Sequence, residues 1–180
     1  MATAFDQRKN LKKGLIGFQQ FRKDFAGEAE LHLFGADFGP NGPAQQWAKT
    51  QNLDAQVFYH GLVNNHKLVA QLQAFDILLH PSLEESFGNT LIEGMAKGLP
   101  VIGGKDSGAV PWVLNEGQNG VLVDVRSAQA IAGGLHRLAG DAAYFEKLSR
   151  ESLAYAKERF SAQRIAQVYV NLYKTILNPS

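Results

Sequence analysis

Five short apolar runs alternate with helical patterns along the first two-thirds of this chain, and that alternation restricts its fold more than any other feature. The runs are Leu31 to Phe34, Val57 to Tyr59, Asp76 to Leu79, Pro100 to Gly103 and Gly120 to Val123. Between them, apolar residues recur at helical spacing over Leu11 to Phe25, Ala44 to Gln51, Asn65 to Ala74, Thr90 to Lys97 and Val110 to Asn115. A helical crossover returns the chain to the same end of a sheet, so strands joined this way pair in parallel. The pattern therefore predicts an α/β fold, an open parallel sheet with helices on both faces. After Val123 it turns wholly helical, over Ala128 to Ala139, Ala142 to Arg159 and Ala162 to Ile176. Gly39-Pro40-Asn41-Gly42-Pro43 reads as a turn-rich loop.

A chain of 180 residues, 45% of them apolar, can bury one substantial core, so residues 1–180 are expected to form a single domain. The net charge of +1 comes from scattered lysines and arginines, with one small basic cluster at Arg8-Lys9 and Lys12-Lys13, and this argues against a nucleic-acid stripe. The absence of cysteine excludes disulfides and thiolate chemistry. No apolar run approaches a membrane span and no signal-peptide pattern opens the chain, so the cytoplasm is the expected compartment. His32, His60, His66, His80 and His136 lack metal-ligand spacing, and each is expected to be structural or superficial.

The segment Glu85-Ser86-Phe87-Gly88-Asn89-Thr90-Leu91-Ile92-Glu93 sets two carboxylates eight positions apart around a glycine turn and a helix start. It follows an apolar run stopped by Pro81, and it leads into a helix whose apolar residues Leu91, Ile92, Met95 and Ala96 end at Gly98-Leu99-Pro100. Strand, turn and helix thus meet at the carboxyl edge of the sheet, where open α/β folds bind ligands. Helix N-terminal N–H groups near Asn89 lack intrahelical acceptors and suit an anion. Taken alone, Glu85 and Glu93 could equally be solvated acids and Asn89 a plain N-cap.

The order of features from His80 onward resembles the signature of the family 4, or group 1, retaining GT-B glycosyltransferases. Pro81-Ser82, the Glu-x7-Glu spacing of Glu85 and Glu93 with Phe87-Gly88 inside it, Gly94-Met95-Ala96 and Gly98-Leu99-Pro100-Val101 carry the resemblance. It extends through Gly61, Ser107-Gly108, Asn119 to Val123 and the helix from Tyr169 to Ile176. The resemblance implies a Rossmann-like domain, one half of a GT-B fold, that binds the nucleotide-sugar donor, with carboxyl-terminal helices at 128–177. It also implies that the amino-terminal, acceptor-binding half is absent, since Ala2-Thr3-Ala4-Phe5 reads as the end of a first strand with almost no lead-in.

On that resemblance Lys9 neutralises charge on the departing diphosphate and Glu85 stands near the donor sugar, the two catalytic candidates. Arg8 is expected to replace an arginine that the family carries where Ala4 stands here. Glu93 would accept hydrogen bonds from the ribose hydroxyls. Main-chain N–H groups of Ser86, Phe87, Gly88, Asn89, Thr90 and Leu91 would wrap the diphosphate, and Gly61, Leu62 and Val63 would form a shelf for the base, with simple packing as the alternative for Leu62 and Val63. Trp112 occupies a position where the family often has glutamate, either as neutral packing or as an altered donor pocket. The implied donor is a UDP- or GDP-sugar, with no cofactor or metal required, and the implied reaction transfers its sugar to a hydroxyl in polysaccharide or glycolipid biosynthesis. The implied partners are the donor and the amino-terminal domain, with contact to the inner membrane surface only for a longer protein. A sugar-nucleotide epimerase relative and a non-catalytic nucleotide-binding or interaction module are the alternatives.

Overall fold

The computed structural model describes residues 1–2 and 4–177. Its strands are β1 (Leu31–Leu33), β2 (Val57–Tyr59), β3 (Leu78–His80), β4 (Val101–Gly104) and β5 (Val121–Val123), all paired in parallel. They form two groups, β1-β2 and β3-β4-β5. At the expected end of a first strand the described residues show a parallel bridge, Ala2 with Phe34; Thr3, within that stretch, lies outside the described residues. The helices are α1 (Leu11–Asp24), α2 (Pro43–Thr50), α3 (Asn65–Gln71), α4 (Asn89–Met95), α5 (Val110–Val113), α6 (Ala128–Gly140), α7 (Ala142–Phe160) and α8 (Ala162–Leu177). Most boundaries fall within two residues of the sequence expectation. The exception, α3, tightens into a 3-10 turn over Leu72–Ala74, and α5, two residues shorter than expected, gives way to another over Asn115–Gly117.

Alternation along the strands divides the interior into two cores. Leu79, Ile102 and Val121 face one side, where α1 and α6 pack with Leu11, Leu15, Phe18, Phe21, Ile131 and Leu135. Leu78 and Val101 face the other, with Leu91, Met95, Val110 and Val113 of α4 and α5. Helices therefore cover both faces, as parallel sheets require. The buried residues of α1 recur at helical spacing, and Arg22 and Lys23 in its last turn oppose the negative end of its dipole. Ser127 caps α6 by accepting the Ala130 N–H at 3.2 Å, and Asp141 caps α7 by accepting that of Tyr144 at 2.9 Å.

The last helix is different. Ile165, Val168, Tyr169, Leu172 and Ile176 share helical spacing, yet all are exposed. They do not pack on this domain's own sheet.

The α1–α6 contact depends on small residues. A Cβ at Gly17 would stand 2.7 Å from Ile131 Cγ2 and 2.9 Å from the Ala128 carbonyl oxygen, whereas one at Gly133 would meet nothing within 4 Å. Gly17→Ala should lower unfolding free energy by about 1–3 kcal/mol, because a backbone oxygen cannot move aside. Gly133→Ala should raise it by up to about 1 kcal/mol, the helix-interior cost of glycine. Paired urea melts would check both signs.

Candidate functional site

Parallel pairing places every segment that follows a strand along one edge of the sheet. Two such segments, 4–10 and 81–88, are fastened together. Asn10 holds a left-handed conformation (φ 53°) ahead of α1, and its side-chain amide caps nothing there. Instead Nδ2 donates to the carbonyls of Pro81 at 3.0 Å and Val125 at 2.9 Å. The Leu83 N–H donates to the Arg8 carbonyl at 2.8 Å. From the other side, Ser107 Oγ donates to the Ser82 carbonyl at 2.7 Å, and the Ala109 N–H donates to the Glu85 carbonyl at 2.9 Å. Gly108 has φ +60°, and any Cβ there would collide with that same Glu85 oxygen. Glycine is the residue this crossing admits.

These pins aim two side chains at one oxygen. Lys9 Nζ lies 2.6 Å from Glu85 Oε2, and His80 Nε2 lies 3.2 Å from it. All three are largely withdrawn from solvent, with His80 only 4% exposed at the end of β3. A carboxylate offers acceptors alone, so Nε2 of His80 carries the proton in this contact. The His80 hydrogen bond, together with the bond and charge of Lys9, outweighs the opposing effect of burial and holds the Glu85 carboxyl down at about 2. Glu85 is therefore an anion throughout the neutral range and cannot serve there as a general acid. Lys9 spends one of its three donors on Glu85, leaving two for a ligand.

Glu93, in α4, is brought instead to the segment after β2. Its Oε1 accepts from Asn65 Nδ2 at 3.0 Å, at the start of α3. Gly61 in that segment is buried with φ +69°, Val63 is half-buried and Leu62 is 80% exposed. So the expected base shelf has Leu62 as its open face. Arg8 is exposed, and Nη1 reaches the Glu84 carbonyl only at 3.5 Å, so the guanidinium is beside the Lys9–Glu85 pair without joining it.

The loop from Ser86 to Leu91 differs in detail from expectation. Gly88, at φ 86°, is the cap of α4 and Asn89 its first helical residue. A Cβ at Gly88 would stand 2.6 Å from Leu91 Cδ1, so the glycine permits both the turn and the packing beneath it. Leu91 is fully buried and its N–H is already donated to the Gly88 carbonyl at 2.9 Å, which leaves it a packing residue. Among the described residues, the N–H groups of Ser86 to Thr90 have no main-chain acceptor. The Phe87 ring turns toward Trp112 (centroids 6.2 Å apart) and Phe160 (6.3 Å), and Arg159 lies 4.9 Å over Trp112. Trp112 thus belongs to an aromatic cluster flanking the loop.

His80 is the member of this cluster that the sequence did not connect to Glu85. Its one signal was position, the last residue of a strand directly before Pro81-Ser82. Among the described residues, no group of three or more histidines and carboxylates could hold a metal ion, and no helix is long and apolar enough to cross a membrane.

Residues 1–159 match the family described as glycosyl transferases group 1. The N-acetyl-alpha-D-glucosaminyl L-malate synthase of Bacillus anthracis is 30% identical over 133 residues, which are 73% of this chain and 34% of that enzyme. Among solved structures, the sucrose-phosphate synthase of Thermosynechococcus elongatus superposes with a TM-score of 0.81 at 25% identity, over 99% of this chain and 45% of that one. HepE of Anabaena, in complex with UDP, shares the fold with a TM-score of 0.78 at 20% identity, over 96% of this chain and 47% of that one. The chain spans about a third of the length of the curated relatives it matches.

The lowered Glu85 carboxyl has a consequence for stability. A group whose pKa falls on folding contributes stability above its unfolded value, and loses it as pH drops through the folded one. The difference in unfolding free energy between wild type and Glu85→Gln should stay constant above about pH 5, then shrink between about pH 4.5 and 2. At neutral pH the substitution should cost about 1–3 kcal/mol, because Lys9 and His80 lose a charged acceptor. Denaturant melts across that range check it; a difference independent of pH would contradict the arrangement.

Proposed function

Because this chain belongs to the group 1 glycosyl transferases, we propose that it is the donor nucleotide-sugar-binding half of a retaining glycosyltransferase. In the longer enzyme the sugar of a nucleoside-diphosphate sugar passes to an acceptor hydroxyl, in polysaccharide or glycolipid biosynthesis, on the cytoplasmic side. The observation that carries this is the contact of Lys9 and His80 with Glu85 at the carboxyl edge of a parallel sheet. The bond from the anomeric carbon to the diphosphate breaks with its electron pair leaving on oxygen, and negative charge grows there. Lys9 meets that charge with its free donors, aided by the main-chain N–H groups from Ser86 to Thr90. Glu85, held ionised, opposes the positive charge that develops on the sugar. Glu93 keeps Oε2 for the ribose hydroxyls, and Gly61, Leu62 and Val63 support the base. That HepE was solved with UDP and with UDP-glucose favours a uridine donor.

Binding of a nucleoside diphosphate should need no divalent metal, with dissociation constants of about 1 μM to 1 mM for UDP or GDP. Glu93→Ala should weaken both free nucleotide and sugar nucleotide, since ribose is common to the two. Glu85→Ala should weaken the sugar nucleotide preferentially. Calorimetric titration of both variants with each ligand, with and without chelator, checks this. Failure to bind any nucleoside diphosphate, or loss of binding on chelation, would overturn the assignment; equal losses would overturn the division of roles.

A further inference from the structure

His80 and Lys9 reach the same oxygen of Glu85, but they are held in different ways. His80 closes β3, where it pairs with Gly103 of β4, and it is buried. The proline that follows confines its backbone to the extended region. Pro81 is itself fastened, its carbonyl accepting from Asn10 Nδ2 at 3.0 Å. Lys9 stands in a loop, where its N–H donates to Asp6 Oδ1 at 2.7 Å and a long flexible stem carries Nζ to the carboxylate. The imidazole stays where the ammonium can leave.

Both bonds end on Oε2. Among the described residues Oε1 of Glu85 has no hydrogen-bond partner, so it is the acceptor left for a ligand. The ionisable groups that act on Glu85 are His80 from β3 and Lys9 from the segment before α1. Other charged residues on the packed segments turn elsewhere: Asp6, Arg8, Glu84, Lys105 and Asp106 are exposed, and Glu93 of α4 is engaged with Asn65. The segment after β4 meets Glu85 through the Ala109 N–H and Gly108, which carry no charge. Of the influences on the Glu85 carboxyl the His80 hydrogen bond is the largest; burial opposes it, and Lys9 follows with a bond and a charge. Were Lys9 to leave a carboxylate that had no second donor, burial would prevail and Glu85 would take up a proton.

We propose that His80 is a positioning residue: by donating Nε2–H to Oε2 it holds Glu85 as an oriented anion after Lys9 has moved to the diphosphate, with Oε1 presented to the donor sugar. The inference rests on the donor-binding reading above. It adds a division of labour to that reading. Lys9 answers the phosphate, and His80 keeps the carboxylate charged while it does so. Nucleotide binding then needs no proton on Glu85, and Lys9 can be recruited across the neutral range.

Lys9→Met in the ligand-free chain imitates a lysine that has departed, and carbon-13 NMR follows the Glu85 carboxyl. In that variant the carboxyl should still titrate below the ordinary carboxylate range. Adding His80→Leu should carry it above that range, whereas adding His80→Gln, whose amide sets a donor at the same reach from Cβ, should bring it back toward the Lys9→Met value. His80→Phe, which fills the ring's space without a donor, is a second donor-free variant and should behave as His80→Leu. With Lys9 restored, calorimetric titration with UDP at about pH 6, in buffers of different ionisation enthalpy, counts the protons taken up. The donor-free variants should bind UDP at least about tenfold more weakly than wild type and take up more protons, while His80→Gln should stay within about threefold of wild type. A Glu85 titration that ignores residue 80, or equal losses of UDP affinity in all three variants without added proton uptake, would overturn the positioning role and leave the donor-binding reading standing. Failure of wild type to bind either UDP or GDP would overturn that reading, and the release of Lys9 with it.

Discussion

The parallel pairing of β3 with β4, in the register Leu78 with Val101 and His80 with Gly103, is the constraint on which the rest of the molecule depends. It sends the segments after both strands out of the same edge of the sheet. The hydrogen bonds from Ser107 to Ser82, and from Ala109 to Glu85, then become short local contacts across that edge. Asn10 adds the third segment by spanning Pro81 and Val125. Each pin uses main-chain carbonyls, so the loops are positioned by backbone geometry. The side chains of Lys9 and Glu85 remain available for chemistry.

Glu85 illustrates how that scaffold sets electrostatics. A partly buried carboxylate would ordinarily drift toward neutrality, yet two donors converging on one oxygen reverse the direction. His80 contributes more than hydrogen bonding. Being buried at the end of β3, it has little freedom to leave Glu85, whereas Lys9 sits on a long, flexible stem in a loop. The arrangement therefore has one fixed donor and one that a phosphate can recruit.

Much of this was legible in the sequence for physical reasons. Strand and helix periods differ, so the alternation from Leu31 to Val123 disclosed a parallel α/β sheet, and the Glu85 to Glu93 spacing disclosed the loop at its edge. The contact between His80 and Glu85 was not legible, because the four intervening residues of loop can set the two side chains together or apart. Nor was the inward turn of Leu91, where Gly88 takes the cap position that the sequence offered to Asn89. The Phe87–Trp112–Phe160 cluster unites residues from three separate segments, and no local pattern encodes it. At the expected end of a first strand, Ala2 to Phe5, the described residues show a parallel bridge of Ala2 with Phe34, and the Phe5 N–H turns to Asp37 at 3.0 Å.

The central claim is that Lys9 is shared between Glu85 and a bound diphosphate. The most direct measurement is the Glu85 carboxyl pKa, followed by carbon-13 NMR with and without saturating UDP or GDP. The account predicts a value near 2 in the free protein and a clear rise on binding, as Lys9 is drawn away and a second anion approaches. A nucleotide that binds while the Glu85 titration stays unchanged would contradict it.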